Sequence, residues 1–164
     1  QSQSRATETC GDPSAAVALN IFFNSGTVDY FLTPDSSVSS GTGPYDLQGI
    51  VGFVFVTAEP STVPFYRLHK TVGDQDINFW TTSTSEANSA VQEGFDSDQA
   101  DPLLHIYPTQ ICGAVPLYRV SNSGAQANFY TTSESQRQDF ITNMGYQDLG
   151  IAGYIIYPFV TKCT

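Results

Sequence analysis

The stretch Asn78-Phe79-Trp80-Thr81-Thr82-Ser83 recurs as Asn128-Phe129-Tyr130-Thr131-Thr132-Ser133. Each copy follows a Val-Pro-x-Tyr-Arg run, Val63-Pro64-Phe65-Tyr66-Arg67-Leu68 in the first case and Val115-Pro116-Leu117-Tyr118-Arg119-Val120 in the second. Both alignments have a period of about 50 residues, and self-similarity at a fixed period of this size is the signature of a repeat architecture. A third, fainter copy begins earlier. Asn24-Ser25-Gly26 matches Asn122-Ser123-Gly124, and Asp29-Tyr30-Phe31-Leu32-Thr33 stands where Asn-Phe-Tyr-Thr-Thr would. At the far end of the unit, Gly49-Ile50-Val51-Gly52-Phe53-Val54-Phe55 matches Gly150-Ile151-Ala152-Gly153-Tyr154-Ile155-Ile156, and Ile106-Tyr107-Pro108 answers Ile156-Tyr157-Pro158. Three units therefore fill the chain, at roughly 14–60, 61–112 and 113–164.

Each unit has the same local grammar. The Val-Pro-x-Tyr-Arg run is β-rich, with Pro at its start, where a missing N–H does least harm to a ladder. A polar turn containing Gly follows, and the aromatic-Thr-Thr run returns as the second strand of a hairpin. Ser83 with Glu86, and Ser133 with Gln136, fit the capping-box spacing that opens a helix. Helices are predicted over about 84–93 and 134–144, each stopped by a glycine, Gly94 or Gly145, suited to a left-handed cap. Unit one has Pro34-Asp35-Ser36, but the Ser and Gly that follow make its helix doubtful. A strand with closely set glycines ends each unit. The expected fold is a mainly β single domain over 1–164 with short helices (α+β). Its three β-hairpin–helix–strand repeats would be arranged pseudo-threefold, like a trefoil, because so small a unit cannot bury its own apolar face.

On an alternating strand, Tyr66, Phe79, Tyr118 and Phe129 read as shared core. Trp80 and Tyr130, one position on, fall on the opposite face and are expected to be more exposed.

Composition narrows the function classes. Six basic residues against sixteen acidic ones give a net charge of −10, which repels nucleic acid and anionic lipid, so neither is expected as a partner. The longest apolar run, Ile50 to Val56, is of strand length and far below the roughly 20 residues that span a bilayer. Apolar residues make up 40% and charged residues only 13%, so the surface is covered mainly by Ser, Thr, Asn, Gln and Gly, as in a folded, weakly charged chain. The start at Gln1, the low Lys content and the three Cys together suggest a secreted, extracellular protein. It is expected to be a monomer without N-glycans, since no Asn-x-Ser/Thr acceptor occurs.

Cys10, Cys112 and Cys163 lie at unit boundaries. One disulfide and one remaining cysteine are expected. Cys10–Cys112 is preferred over the alternatives because Cys163 sits near a terminus that can fray. The spacings contain no Cys-x-x-Cys pair, so no metal is expected on these cysteines.

The strings Val-Pro-Leu-Tyr-Arg, Asn-Phe-Tyr-Thr-Thr-Ser and Gly-Ile-Ala-Gly-Tyr resemble a family of secreted repeat proteins found in mushroom-forming fungi and in bacteria, whose unit reads approximately PLYR…DHFYTT…GIAGY. The resemblance is strong in unit three, good in the first half of unit two and weak in unit one. Family members occur alone or appended to secreted hydrolases, which implies an extracellular binding module by association. This chain departs from the pattern where the family has His before Phe: Asn78 and Asn128, or Asp29 in unit one, stand there. A mechanism that depends on that His cannot operate here.

Several side-chain groupings could carry chemistry. His69 and His105 are the only histidines and have no accompanying nucleophile elbow, so both read as paired or core residues. Acids gather in unit two, at Asp74, Asp76, Glu93, Asp96, Asp98 and Asp101. A glycosidase needs only two carboxylates a fixed distance apart, so a glycan-cleaving hydrolase is one reading. Asp96, Asp98 and Asp101 alternate in a way that could offer oxygen ligands to calcium, although the EF-hand Gly and distal Glu are absent. Otherwise no cofactor is expected. Arg67 and Arg119 read either as ligand grips or, preferably, as repeated charge-assisted bonds inside each unit.

The leading functional expectation is a carbohydrate-binding, lectin-like module for neutral glycans or polysaccharide. A sugar ring has an apolar C–H face and a hydroxyl rim, matched by an aromatic platform beside amides and hydroxyls. The candidate residues are Trp80 with Asn78 and Thr82, Tyr130 with Asn128 and Thr132, and the arginines Arg67 and Arg119. A structural or protein-binding secreted protein is the remaining alternative.

Overall fold

The structure, a computed structural model, describes residues 9–36, 45–97 and 103–157. It is mainly β with two short helices. Unit one contains β1 (Val17–Asn24), β2 (Asp29–Thr33) and β3 (Asp46–Val54). Unit two contains β4 (Val63–Val72), β5 (Gln75–Thr81), α1 (Thr84–Gln92) and β6 (Leu104–Ile106). Unit three contains β7 (Val115–Asn122), β8 (Ala127–Thr131), α2 (Glu134–Asn143) and β9 (Gln147–Ile155). These form three three-stranded antiparallel sheets with the orders β2-β1-β3, β5-β4-β6 and β8-β7-β9, so the first strand of each unit is always central. The stretch of unit one where a helix was doubtful, 37–44, lies outside the described residues, as does Cys163.

Local chemistry accounts for the elements. Pro64 and Pro116 lie in central strands, but β5 pairs with β4 only from Tyr66 onward and β8 with β7 only from Tyr118 onward. Each proline thus stands where its strand is paired on one side only, so the missing N–H is tolerated. The hairpin turns of units one and three are closed by Asn24 and Asn122, whose Oδ1 atoms accept from the Gly26 and Gly124 N–H groups at 2.9 and 3.0 Å. The Oγ of Ser83 caps α1 by accepting from the Glu86 N–H, and that of Ser133 caps α2 by accepting from the Gln136 N–H, each at 3.1 Å. The capping is one-way, because Gln136 Oε1 instead accepts from the Thr131 hydroxyl at 2.6 Å and Glu86 pairs with Arg119. Both helices stop at glycines with positive φ, Gly94 at 98° and Gly145 at 72°.

The units close on one another through their third strands. Backbone bridges join Phe53 to Ile156, Phe55 to His105 and Tyr107 to Tyr154, so the ends of the third strands of all three units meet in pairs. The second glycine of the Gly-Ile-x-Gly motif permits this approach: a Cβ at Gly52 would run into Ile155, and one at Gly153 into Ile106.

Alternation leads one to expect β5 and β8 to have one buried and one open face. Both faces are buried, with every residue of β8 and the last five of β5 out of solvent. On one side Phe79 packs with Leu68, Ala87 and Ala90 beneath α1, and Phe129 stacks on Phe140 of α2 at 3.9 Å between ring centres. On the other side the equivalent aromatics of the three units meet. Phe31 lies edge-on to Trp80 at 5.7 Å, and Trp80 edge-on to Tyr130 at 6.0 Å. Full burial of an aromatic side chain such as Trp80 is worth up to roughly 5 kcal/mol by area. The strand carrying the repeated motif is thus a middle layer between its own helix and the other two units.

Cys10 and Cys112 form the preferred disulfide, closing a separation of 102 residues. It ties the segment before unit one to the end of unit two.

Candidate functional site

The repeated polar residues are absorbed by architecture. Arg67 donates from Nε and Nη2 to Asn78 Oδ1 at 3.0 and 2.7 Å, and its guanidinium lies 4.9 Å over the Phe31 ring of unit one. Arg119 donates from Nε to Asn128 Oδ1 at 3.0 Å, lies 4.8 Å over the Phe79 ring of unit two and pairs with Glu86 at 3.0 Å. Each arginine therefore joins its own hairpin to the preceding unit, combining a charge-assisted bond with a cation–π contact. The two threonines also bridge units. The Thr82 hydroxyl donates to the Ala152 carbonyl at 3.4 Å and the Thr132 hydroxyl to the Val51 carbonyl at 2.8 Å.

This placement corrects the expectation for the motif. Trp80 is 0%, Tyr130 1%, Asn78 2% and Asn128 7% exposed, so none presents an open platform or rim to a sugar. The Tyr130 hydroxyl is spent internally: it accepts from the Trp80 N–H and donates to the Trp80 carbonyl, both at 2.6 Å. Burial pushes its pKa up to about 12. Arg67, Arg119 and Thr82 serve the joints between units. Of the eight expected binding residues, Thr132 and Tyr130 border a cavity, Tyr130 as part of its buried lining.

A buried polar cluster lies at the junction of units one and two, where Asp29 replaces the Asn of the other copies. Asp29 Oδ2 accepts from the Tyr45 hydroxyl at 2.6 Å and from Asn78 Nδ2 at 2.9 Å, while Oδ1 has no hydrogen-bond partner. Burial raises its pKa to about 6. The bonds from Tyr45 and Asn78 oppose the rise, and Asp76 adds to it. His69 stands nearby, 3.5 Å from Asp76. Asp29 and Asn78 are buried, whereas Tyr45, His69 and Asp76 are half-buried around them, so the carboxyl's titration acts on stability.

The described acids of unit two do not converge. Asp76 accepts from the Thr71 hydroxyl, Glu93 caps the end of α1, Asp96 pairs through its backbone with His69, and Asp74 alone among them borders a shallow cavity with Val72 and Gln75. Among the described residues, no group of three or more His, Cys, Asp or Glu is placed to hold a metal ion. Of the calcium candidates, Asp98 and Asp101 lie outside the described residues.

A different region forms an open groove. Between β3 of unit one and the β8–α2 corner of unit three lies a cavity of about 430 Å³, within the ~300–1,000 Å³ range of small-molecule sites. Among the described residues lining it, none is Asp, Glu, Lys, Arg or His. Its rim combines the exposed apolar side chains Ile50, Met144 and Tyr157 with Gln48, Ser133 and Gln136. Local geometry builds it. The pairing of β1 with β3 slips twice, between Leu19 and Asn20 and between Ile21 and Phe22, which turns the Gly49–Ile50 corner outward. The Thr132–Val51 bond then clamps that corner to α2. Sequence reasoning missed Gln48, Ile50, Gln136, Met144 and Tyr157. Sequence carries no signal for Tyr157, since Ile106-Tyr107-Pro108 and Ile156-Tyr157-Pro158 are the same string, yet Tyr107 is buried and Tyr157 exposed.

No curated protein and no solved structure matches the chain. A family model does match, over residues 14–156, which takes in all three units and both walls of the groove except Tyr157. The chain belongs to the family described as a domain of unknown function, DUF5648.

Proposed function

We propose that this protein is an extracellular binding module for neutral glycans, with its site in the groove between units one and three. The observation that carries the reading is the absence of charge among the described residues lining that groove in a chain of net charge −10. A charged ligand would find no counter-ion there, whereas a neutral sugar has C–H faces for Tyr157, Ile50 and Met144 and hydroxyls for Gln48, Gln136 and Ser133. The disulfide accords with an oxidising compartment. The same reading takes the three units as related by an approximate threefold axis, like a trefoil. Identical strand order and pairwise bridging of the third strands support that arrangement. The module acts as a monomer and holds its ligand without cleaving it, since the described acids of unit two are scattered.

The test is depletion of the protein from solution by insoluble chitin, cellulose and β-1,3-glucan, with reducing sugar followed in parallel. Retention without sugar release is expected. It should persist at about 1 M NaCl, because no ion pair is involved, and be lost in Tyr157→Ala with thermal stability kept. Sugar release would favour the hydrolase. Failure to bind any neutral polysaccharide would overturn the reading and favour a structural or protein-binding role.

A further inference from the structure

The groove does not end at Tyr157. A second cavity of about 420 Å³ lies beyond it, lined by Val115, Pro116, Thr132, Ser133 and Tyr157. The two cavities share Thr132, Ser133 and Tyr157, so they adjoin across these residues. Their chemistry differs. The first offers the exposed side-chain amides of Gln48 and Gln136. The second has a half-buried apolar floor of Val115 and Pro116, and like the first it contains no charged side chain.

We infer that the ligand is a linear neutral oligosaccharide spanning at least two sugar units, one on each side of Tyr157. The first unit is held by hydrogen bonds, and the second by packing of its C–H face on Pro116 and Tyr157. A monosaccharide fills only one cavity of this size, and an adjoining site that needs no further loss of rotational freedom adds affinity for a linked second unit. A shared ridge of Thr132, Ser133 and Tyr157 sets the direction of the chain: it runs from the β3–α2 corner toward the start of β7. Two features fix these walls. Ser133 is held as the cap of α2, and Thr132 is bonded to Val51. Both cavities therefore keep their spacing without the ligand.

This inference rests on the neutral-glycan reading above, and the experiment separates the two. Binding of glucose, N-acetylglucosamine and their β-linked di- to hexasaccharides is measured by calorimetry on the intact chain. Affinity should rise about tenfold or more from the monosaccharide to the di- or trisaccharide of the preferred series and then level off. Pro116→Glu should return the oligosaccharide to the affinity of the monosaccharide while leaving the monosaccharide unchanged. Pro116→Ala, a smaller change, should reduce the gain in part if the glutamate variant fails to fold. Equal affinity for all lengths would overturn the two-site inference and leave the binding module standing. No binding at any length, together with no retention on the polysaccharides, would overturn both.

Discussion

Replacing Tyr130 by Phe removes one oxygen atom and leaves the ring that packs against Trp80 and Phe65. β5 is an outer strand of its sheet, so backbone groups on its far side have no ladder partner. At Trp80 they are buried, and the Tyr130 hydroxyl satisfies both the N–H and the carbonyl. In Tyr130→Phe both would be left unpartnered in a site where Trp80 is 0% exposed. Each buried backbone group left so costs about 1–3 kcal/mol, giving roughly 2–6 kcal/mol for the pair. For a domain of this size that corresponds to a fall in melting temperature of roughly 5–15 °C. Urea denaturation with the disulfide intact, checked by calorimetry, measures it. Tyr66→Phe, a half-buried tyrosine beside the Phe79 cluster, is the control and should change stability by less than about 0.5 kcal/mol. If Tyr130→Phe is as mild as the control, the hydroxyl is not the clamp between units two and three.

Asp29 should make stability depend on pH. Its folded pKa, near 6, lies above its ordinary value of 3.8, so the folded protein holds the proton more tightly. The associated stability is fully present below about pH 3.8 and is lost as pH rises through 6, amounting to about 3 kcal/mol. Asp29→Asn should flatten the urea midpoint between pH 4 and pH 6, and an unchanged slope would contradict the burial of the carboxyl beside Tyr45, Asn78, Asp76 and His69. Cys10→Ser with Cys112→Ser should lower the unfolding free energy by about 2–5 kcal/mol, and an unaltered denaturation curve would show that the bridge does not restrain the unfolded chain. Gly153→Ala would push a methyl group into Ile106 and should cost about 1–3 kcal/mol. Adding Ile106→Val should recover part of the loss, and no recovery would place the strain elsewhere.

Much of the local structure was legible in the chain. The period of about 50 residues is written in recurring strings. The hairpin turns follow from Asn24-Ser25-Gly26 and Asn122-Ser123-Gly124, and the helix starts and stops from Ser83, Ser133, Gly94 and Gly145, because these signals act within a few residues of the backbone groups they satisfy. Of the four aromatics that alternation assigns to the core, Phe79 and Phe129 are buried, whereas Tyr66 and Tyr118 are only half-buried.

The fate of the other face was not legible. Alternation states that Trp80 and Tyr130 point away from Phe79 and Phe129, but it does not state what lies there. Their cover comes from equivalent strands in other units, about 50 residues distant in the chain. The same is true of Arg67 on Phe31, Arg119 on Glu86, Thr132 on Val51 and Gly153 against Ile106, each a contact between units. The groove is a still less local object: its walls are β3 from one unit and α2 from another, and its uncharged lining exists only once the two corners are clamped. Sequence determined the repeating unit because short-range hydrogen bonding and alternation encode it. Only tertiary structure decided which repeated residues are architecture and which surface is left open, because both depend on how the three sheets pack against one another.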